Sequence, residues 1–329
     1  ASIASTEIWY LRLSNNRITD ITGLELFTGL IYLQLDRNQI SSISQLRNLT
    51  ALRYLDLDHN QISSISQLRN LTALGELHLS HNRITSISSL ALLTALRRLH
   101  LNNNRIISLA GLELLTALRR LHLNRNQISS ISQLRNLTAL GELHLSHNRI
   151  TSISSLALLT ALRRLHLNNN RIISLAGLEL LSVLKILYLD HNEISSLSPL
   201  QNVAGLTRLD LYDNNITSLA SFHTISGLHH LDLRHNHIIS LVPLENFTGL
   251  VHLNLHHNQI TTISPLQSLV LLVYLNLGSN YITTVLPLQF LTHLEALAID
   301  GNQINTTIIN ALRKKLPRVA LFSCAGQNV

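Results

Sequence analysis

The chain has 329 residues, of which 46% are hydrophobic and only 4% aromatic, so its core must be built from aliphatic side chains. Its formal net charge of +7 comes from arginine, because Lys185, Lys314 and Lys315 are its only lysines, and guanidinium groups favour forked contacts to carboxylate or phosphate. The single Cys324 excludes an internal disulfide bond, and the longest apolar run, around residues 269–277, is too short to cross a membrane. We therefore expect a soluble protein of undetermined compartment, and the lack of methionine suggests a processed, fragmentary or edited chain.

Asparagine recurs every 22 residues along almost the whole chain. One further step reaches Cys324, where the apolar spacing continues, and this gives about fifteen repeats. Such a strict period predicts a repeat protein whose neighbouring repeats pack on one another. We name these residues the ladder asparagines: Asn16, Asn38, Asn60, Asn82, Asn104, Asn126, Asn148, Asn170, Asn192, Asn214, Asn236, Asn258, Asn280 and Asn302.

Within each repeat the spacing is L-x-x-L-x-L-x-x-N-x-I-x-x-I-x-x-L-x-x-L. Leu77 and Leu79 illustrate the period of two that predicts a short strand with one buried face. After the asparagine the apolar residues step by three, as in Ile84 and Ile87, which suits 3₁₀ turns or extended coil better than an α-helix. We therefore predict an α/β repeat solenoid in which each repeat is a strand, a turn and a compact return path.

The asparagine after each strand has a structural explanation. Its amide offers two donors and an acceptor, and pointed inward it can bond backbone groups of its own and neighbouring turns. Left unpaired, each such buried group would cost about 1–3 kcal/mol. We interpret the ladder as structural rather than as a binding site.

The first half of the chain contains a duplication. Residues 60–115 and 126–181 are identical over 56 positions and lie three repeats apart. After about residue 187 the repeats diverge, and prolines fall on the predicted return path at Pro199, Pro243, Pro265 and Pro287. The first half therefore indicates a recent or engineered duplication, joined to an older block.

The two ends of the chain predict different boundaries. The first strand begins near Ile8, so we expect the N-terminal cap to be absent, trimmed or frayed. Residues 303–329 predict a C-terminal cap, with a helix that begins after Asn305 as N-cap. Because no linker interrupts the repeats, we predict a single domain over residues 1–329.

Over residues 8–324 the chain resembles leucine-rich-repeat proteins of the 22-residue type. The stretches "ITGLELFTGL" and "ISLAGLELLTAL" are similar to the leucine-rich regulatory subunit of protein phosphatase-1, and "NQITTISPLQSL" and "NQISSISQLRNLT" are similar to bacterial internalins. The resemblance implies a horseshoe or arc with a concave parallel β-sheet and a convex side of 3₁₀ turns and coil. In both groups the concave surface grips another protein, so it also implies a protein partner.

The outward positions of the predicted sheet are six, four, two and one residues before each ladder asparagine. In the duplicated stretch "ELHLSHNRI" they are Glu76, His78, Ser80 and His81, and 14 of the 18 histidines fall at such positions. Planar, amphipathic side chains are typical of interface anchors. We therefore predict this partner-binding set: Tyr54, Asp56, Glu76, His78, His81, Arg98, His100, Arg120, His122, Glu142, His144, His147, Arg164, His166, Tyr188, Arg208, Asp210, Tyr212, Asp232 and Arg234.

Five histidines in consecutive repeats form what we name the imidazole column: His78, His100, His122, His144 and His166. Repeat expansion alone would copy founding histidines without any function. Alternatively, imidazoles that titrate near pH 6–7 could form a pH switch, or they could contact the partner directly. Metal capture is a further alternative, but a row of ligands on a flat sheet suits a tetrahedron poorly, so we expect only weak binding.

Charge and motifs narrow the function further. The four outward positions hold eight arginines against ten acids, which does not indicate a phosphate track and argues against nucleic acid as partner. No glycine-rich phosphate loop, CxxC pair or GxSxG motif is present, so we assign no catalytic residue, no metal ligand and no cofactor. We predict a monomeric, non-catalytic protein-binding module. The alternatives are a synthetic or consensus-like scaffold without a natural partner and a regulatory subunit of a phosphatase-type enzyme.

Overall fold

The computed structural model describes residues 8–319 and 321–323, without the side chains of residues 223, 224 and 321–323. The expected lack of an N-terminal cap concerns residues 1–7 and lies outside the described residues, as does the end of the predicted C-terminal cap. The chain divides into two compact units, Ala1–His166 and Leu167–Val329. The single domain over 1–329 stays a prediction.

One three-residue strand begins each repeat, because its central leucine turns into the core while its two neighbours turn out. In the first compact unit the strands run parallel and pair in chain order with a step of 22 residues, so that Leu77 lies opposite Leu99. Their bounds are β1 Tyr10–Arg12, β2 Tyr32–Gln34, β3 Tyr54–Asp56, β4 Glu76–His78, β5 Arg98–His100, β6 Arg120–His122, β7 Glu142–His144 and β8 Arg164–His166.

The second compact unit repeats this arrangement with parallel strands in chain order. Its described strands are β9 Ile186–Tyr188, β10 Arg208–Asp210, β11 His230–Asp232, β12 His252–Asn254, β13 Tyr274–Asn276, β14 Ala296–Ala298 and β15 Leu321–Ser323. The last pairing places Phe322 opposite Leu297, a step of 25 residues rather than 22. The predicted further step from Asn302 to Cys324 is therefore wrong, because a longer α-helix replaces the return path of this repeat.

That helix, α1, spans Thr306–Lys315 and begins as predicted. The Asn305 side chain accepts a hydrogen bond of 2.8 Å from the Thr307 backbone amide, which satisfies a free donor of the first turn. Ile309, Leu312 and Leu316 are buried and cover the end of the leucine core. The N-cap and the helix of the predicted C-terminal cap are confirmed.

The return paths consist mainly of short 3₁₀ helices, as the period of three predicts. In two repeats a glycine turn takes their place: Gly111 and Gly177 have φ of 102° and 107°, and their amides donate to Glu113 and Glu179. The 3₁₀ helices are Leu24–Leu26, Ser44–Asn48, Ser66–Asn70, Ser88–Leu92, Ser132–Leu134, Ser154–Leu156, Ser198–Asn202, Ala220–Thr224, Val242–Leu244, Ser264–Ser268 and Leu286–Phe290.

The ladder asparagines hold successive repeats together. The Asn82 amide nitrogen donates to Leu57 O at 2.9 Å and to Leu79 O at 3.2 Å. Its oxygen accepts from Ile62 N at 2.9 Å. One side chain thus pairs backbone groups of two repeats, which confirms the structural interpretation.

Aliphatic side chains fill the space between the strands and the return paths. Leu77, Leu79 and Ile84 of one repeat are fully buried, and each full burial is worth about 1.5–3 kcal/mol. The predicted α/β repeat solenoid, with a parallel sheet on one side and 3₁₀ turns on the other, is confirmed. Over the described residues, no helix has the length and apolar character needed to cross a membrane.

Candidate functional site

The sheet face is the side of the strands opposite the leucine core. In β4 the central Leu77 is fully buried, whereas Glu76 and His78 point outward and are half-buried. The same alternation recurs in β5 to β8, so the predicted outward direction of the imidazole column is confirmed. The first compact unit brings together Tyr54 to His166 of the predicted partner-binding set, and the second carries Tyr188 to Arg234.

Some predicted outward residues are nevertheless covered by their neighbours. Ser80, which we grouped with the exposed residues, is only 5% exposed. Asp56, Asp210 and Asp232 are also buried. Arg208 and His230 contact Asp210, and Arg234 contacts Asp232, each within 3.1 Å. The expectation that these four side chains are exposed is wrong. For Asp210 and Asp232 the reason is that arginine or histidine side chains on the same face contact them.

The residue immediately before the ladder asparagine has a backbone role that the sequence-based reasoning missed. Four histidines at this position have φ between 54° and 57°, in the left-handed region: His59, His81, His147 and His191. Histidine, asparagine and aspartate are enriched there among non-glycine residues. The histidines at this position, including the predicted contacts His81 and His147, therefore have a conformational explanation that does not need a partner.

A continuous ladder of aromatic rings runs across all eight strands of the first compact unit. Neighbouring ring centroids are 3.9 to 5.4 Å apart. We name it the ring ladder; its members are Tyr10, Tyr32, Tyr54, His78, His100, His122, His144 and His166. Tyr10 and Tyr32 were not predicted as contacts, although both lie six residues before a ladder asparagine, as Tyr54 does.

The surroundings lower the pKa of most of the imidazole column. Burial, and then the neighbouring imidazoles, lower the pKa of His100 and of His144 to about 3. Burial also lowers the pKa of His122 and of His166. The expectation that the stacked histidines titrate near pH 6–7 is therefore wrong for His100 and His144, because the rings on either side remove each of these two rings from water.

Two glutamates at equivalent places in the duplication contact the column. Glu76 accepts from His78 Nε2 and Arg98 Nη1, both at 2.8 Å. Burial raises the pKa of Glu76, but these hydrogen bonds outweigh it and hold the pKa below its ordinary value.

In the second copy, Glu142 Oε1 lies 3.0 Å from His144 Nε2 and 3.4 Å from His122 Nε2. The other oxygen of Glu142 lies 3.6 Å from Arg120 Nε. Potential metal-ligand atoms of His122, Glu142 and His144 all lie within 4.8 Å of one another, as do those of Asp56, Asp58 and His78.

Asp56, the last residue of β3, and Asp58 place two carboxylates close together before β4. Burial, and then the neighbouring Asp56 carboxylate, raise the pKa of Asp58 to about 6. The Ser80 amide donates to Asp58, and the Asp58 amide donates to Asp56 at 3.0 Å. Asp56 and Asp58 thus form an acidic cluster beside His78.

The second compact unit pairs arginines with both acids and aromatic rings. The Arg208 and Arg234 guanidinium carbons lie 5.1 Å and 4.4 Å from the ring centroids of Tyr188 and Tyr212, respectively. Burial raises the pKa of Asp210, yet contacts from His230 and Arg208 hold it below its ordinary value. A second stack joins His230, His252 and Tyr274 at centroid distances of 4.2 and 4.1 Å.

An edge of exposed arginines borders the ring ladder. The count of outward charges from the sequence did not include the position seven residues before the ladder asparagine. Four more arginines lie at that position, beside the predicted Arg98, Arg120 and Arg164. We name this set the arginine edge: Arg53, Arg97, Arg98, Arg119, Arg120, Arg163 and Arg164, all exposed. The signal that could have found it is the repeated "LRRL" word, in which both arginines precede the buried strand leucine.

The geometry of the repeats defines the class of protein. Short parallel strands, an asparagine ladder and 3₁₀ return paths at a 22-residue period are features of a leucine-rich-repeat solenoid. The profile described as "Leucine Rich repeats (2 copies)" matches residues 50–92, 72–114, 94–136, 116–158, 138–180, 160–202 and 226–268. A second profile, "Leucine rich repeat", matches residues 7–62 and 182–238. The chain belongs to the leucine-rich-repeat family.

Solved structures agree with this assignment. An internalin (inlF) from Listeria monocytogenes is similar at 32% sequence identity and a TM-score of 0.85, covering 89% of this chain and 87% of the internalin. A leucine-rich-repeat protein of Leptospira interrogans has 23% identity, a TM-score of 0.77 and 96% coverage of both chains.

A plant relative was solved with a bound factor. The ectodomain of the Arabidopsis thaliana membrane receptor kinase GASSHO1/SCHENGEN3, in complex with CASPARIAN STRIP INTEGRITY FACTOR 2, has 23% identity and a TM-score of 0.75. The match covers 95% of this chain but 43% of the receptor. No curated protein sequence matches the chain.

Proposed function

We propose that this chain is a non-catalytic protein-binding module whose partner docks on the sheet face of the first compact unit. The observation that carries the proposal is the ring ladder, a preformed row of half-buried rings beside the arginine edge. A protein-binding role is typical of the leucine-rich-repeat family, and the plant receptor solved with CASPARIAN STRIP INTEGRITY FACTOR 2 supports it by likeness of fold.

The ring ladder is suited to binding because its order is established before a partner arrives. His100, His122 and His144 stack at centroid distances of 4.3 and 4.1 Å, with interplanar angles of only 7° and 6°. Immobilising a free side chain on binding costs about 0.5–1.5 kcal/mol. Rings that are already fixed avoid most of this cost and offer flat, amphipathic contact area.

The arginine edge indicates the chemistry of the partner. Its seven arginines are exposed, and Glu76 and Glu142 are the acids that face them on the adjoining strands. Guanidinium groups bind carboxylates through paired hydrogen bonds. Complementary charge also speeds encounter and sets register. We therefore propose a partner segment with acidic side chains along the edge and apolar or aromatic side chains over the rings.

A crosslinking experiment tests the location of the site. A photoreactive residue at Ala95, which is exposed beside the arginine edge, should capture a protein from lysate. The same residue at Ser66, on the return path, should not. In the chain with the probe at position 95, the double variant Arg98→Ala/Arg120→Ala should lose the captured protein, and Arg47→Ala/Arg69→Ala is the matched control. Capture only from position 66, or capture unaffected by the first double variant, would contradict the proposed face.

The same experiment separates the alternative functions. Repeating the capture after nuclease treatment of the lysate distinguishes a protein partner from a nucleic acid, because only a protein held through bound nucleic acid would be lost. A scaffold without a natural partner would capture nothing from either position. A phosphatase regulatory subunit would capture a phosphatase catalytic chain, which mass spectrometry would identify.

A further inference from the structure

We propose that His122, Glu142 and His144 form a binding site for one Zn²⁺ ion on the sheet face of the first compact unit. The site would have three protein ligands, the two Nε2 atoms and Glu142 Oε1, with a fourth position open to water. Nitrogen and carboxylate ligands in this number are those that Zn²⁺ accepts in open sites.

The three ligand atoms form a triangle rather than a row. His122 and His144 lie opposite each other on β6 and β7, while Glu142 lies two residues earlier on β7 and reaches back toward both rings. Its Oε1 is 3.0 Å and 3.4 Å from the two Nε2 atoms. Tetrahedral Zn²⁺ with bonds of about 2.0–2.1 Å holds its ligands about 3.3 Å apart. The expected weakness of a linear array therefore does not apply, because the carboxylate supplies the third direction.

The hydrogen-bonding state of the two ring nitrogens favours metal binding. Among the described residues, neither His122 Nε2 nor His144 Nε2 has a hydrogen-bond partner in good geometry, although both atoms are buried. Such a buried polar atom destabilises the folded chain when it is left unpaired. The two rings are stacked 4.1 Å apart and nearly parallel, so both turn about their side-chain bonds before one ion accepts both lone pairs.

Two charged side chains, Glu142 and Arg120, act on the approach of a cation to the site. Arg120 Nε, 3.6 Å from the second oxygen of Glu142, orients the carboxylate so that Oε1 faces the rings. This guanidinium also opposes the approach of a cation, whereas the carboxylate charge attracts it.

The duplication provides a matched internal control. Glu76 and His78 are the equivalents of Glu142 and His144, but the neighbouring strand there carries Asp56 and Asp58 in place of His122 and Asn124. The two copies thus share the "ELH" segment and differ in the ligand across the sheet. Of the two copies, only the second places atoms of two imidazoles and a carboxylate within 4.8 Å of one another.

Calorimetric titration with ZnCl₂ at pH 7.4, together with Co²⁺ absorption spectra, tests the proposal. We expect one tight site per chain and the intense visible bands of tetrahedral Co²⁺. Because loss of even an outer-shell partner weakens metal sites about 10–100-fold, His144→Gln or Glu142→Gln should raise the dissociation constant by at least about tenfold. His229→Gln, which removes an exposed imidazole outside the ring ladder, should leave it unchanged.

Exchange of the neighbouring strand tests the geometry itself. The double variant Asp56→His/Asp58→Asn should add a second Zn²⁺ per chain, and His122→Asp/Asn124→Asp should remove the first. Circular dichroism checks that every variant is folded. Absence of a tight site in the wild-type chain, or Zn²⁺ affinity that falls equally in His229→Gln, would overturn the proposal.

Discussion

The residue before each ladder asparagine adopts a left-handed backbone conformation, and its identity is therefore restricted for reasons unrelated to binding. Thirteen repeats place a non-glycine residue there, from Asn15 to Ser279, and Gly301 occupies the equivalent place in the next repeat. The left-handed region costs an ordinary L-residue roughly 1–2 kcal/mol. The histidines at this position are consistent with backbone preference, whereas those of the imidazole column lie in extended strands and are not explained in this way.

Replacement of Ser279 tests this conformational restriction. Ser279 has φ of 52°, so Ser279→Val should be less stable than Ser279→Gly by about 1–2 kcal/mol, because a β-branched residue tolerates this region poorly. Urea unfolding would measure the difference. Thr262→Val, at an exposed position without positive φ, is the control and should be close to neutral. Equal stability of the two Ser279 variants would contradict the restriction.

Removal of one ladder asparagine should have a larger effect. Asn82→Ala leaves Ile62 N without its acceptor, whereas Leu57 O and Leu79 O lose one of two amide donors each. We expect a loss of about 1–3 kcal/mol in the free energy of unfolding, which is the cost of one buried unpaired backbone group. Asn70→Ala, at an exposed place on the return path, should change stability little. A loss below 1 kcal/mol for Asn82→Ala would mean that the ladder is dispensable.

At the scale of an element, β4 and β7 show how one sequence acquires two environments. Both read Glu-Leu-His, and both present the glutamate and histidine on the sheet face. The strand before β4 ends in Asp56, which is followed by Asp58, whereas the strand before β7 ends in His122. The charge around an identical segment is therefore set by the repeat that packs beside it, so a single repeat does not define its own site.

The imidazole column predicts a specific dependence of stability on pH. The folded chain keeps His100 and His144 neutral down to about pH 3, whereas unfolded histidine takes up a proton near pH 6.5. The unfolded state therefore binds more protons between these values, and stability falls as the pH is lowered from about 6.5 to 3, by up to roughly 1.4 kcal/mol per pH unit for each histidine.

The double variant His100→Gln/His144→Gln isolates this contribution. Asp58, whose pKa is raised to about 6, acts in the opposite direction, since it takes up its proton in the folded state first. It is present in both proteins, so its effect cancels in the comparison. Urea unfolding at pH 7 and pH 4.5 should show a smaller loss for the variant than for the wild type. An equal loss in both would contradict the low pKa of these two histidines.

Strand positions could be predicted from the sequence because they depend on one local rule. Leu77 and Leu79 alternate with polar residues. Beside a leucine core, such alternation places the leucines inward and the polar residues outward. The return paths were predicted less completely, since Gly111 begins a turn where the same spacing suggested a 3₁₀ helix. The step to β15 could not be predicted from the period, because α1 lengthens the last return path by three residues.

The candidate site could be predicted only in outline. The outward direction of a side chain follows from the alternation along its strand. Its burial also depends on neighbouring side chains, since Asp210 is covered by Arg208 of its own strand and by His230 of the next strand. The pKa of His100 likewise depends on rings that come from two adjacent strands. The arginine edge was missed because Arg97 and Arg119 lie one position before the strand, where the rule of alternation was not applied.

At the scale of the molecule, the repeats behave as a one-dimensional array, in which each repeat contacts its neighbours. The duplication makes this property testable within the first compact unit. Removing residues 60–125 deletes three whole repeats and joins His59 to Asn126. Because residues 126–181 are identical to 60–115, β3 would then pack against Glu142–His144 as it now packs against Glu76–His78. Every contact at the new junction already exists in the parent chain.

We therefore expect the shortened chain to fold with the same far-ultraviolet circular dichroism per residue. Its urea m-value should fall to about four-fifths of the parent value, because m scales with the surface exposed on unfolding. Deleting residues 60–114 instead removes two and a half repeats, which leaves too few residues between successive strands for a return path, and this control should not fold. The in-register deletion also lacks His122, so it should fold but lose the tight Zn²⁺ site, which separates the architecture of the repeat from the chemistry on its face. Loss of cooperative unfolding in the in-register deletion would show that contacts beyond neighbouring repeats hold the solenoid together.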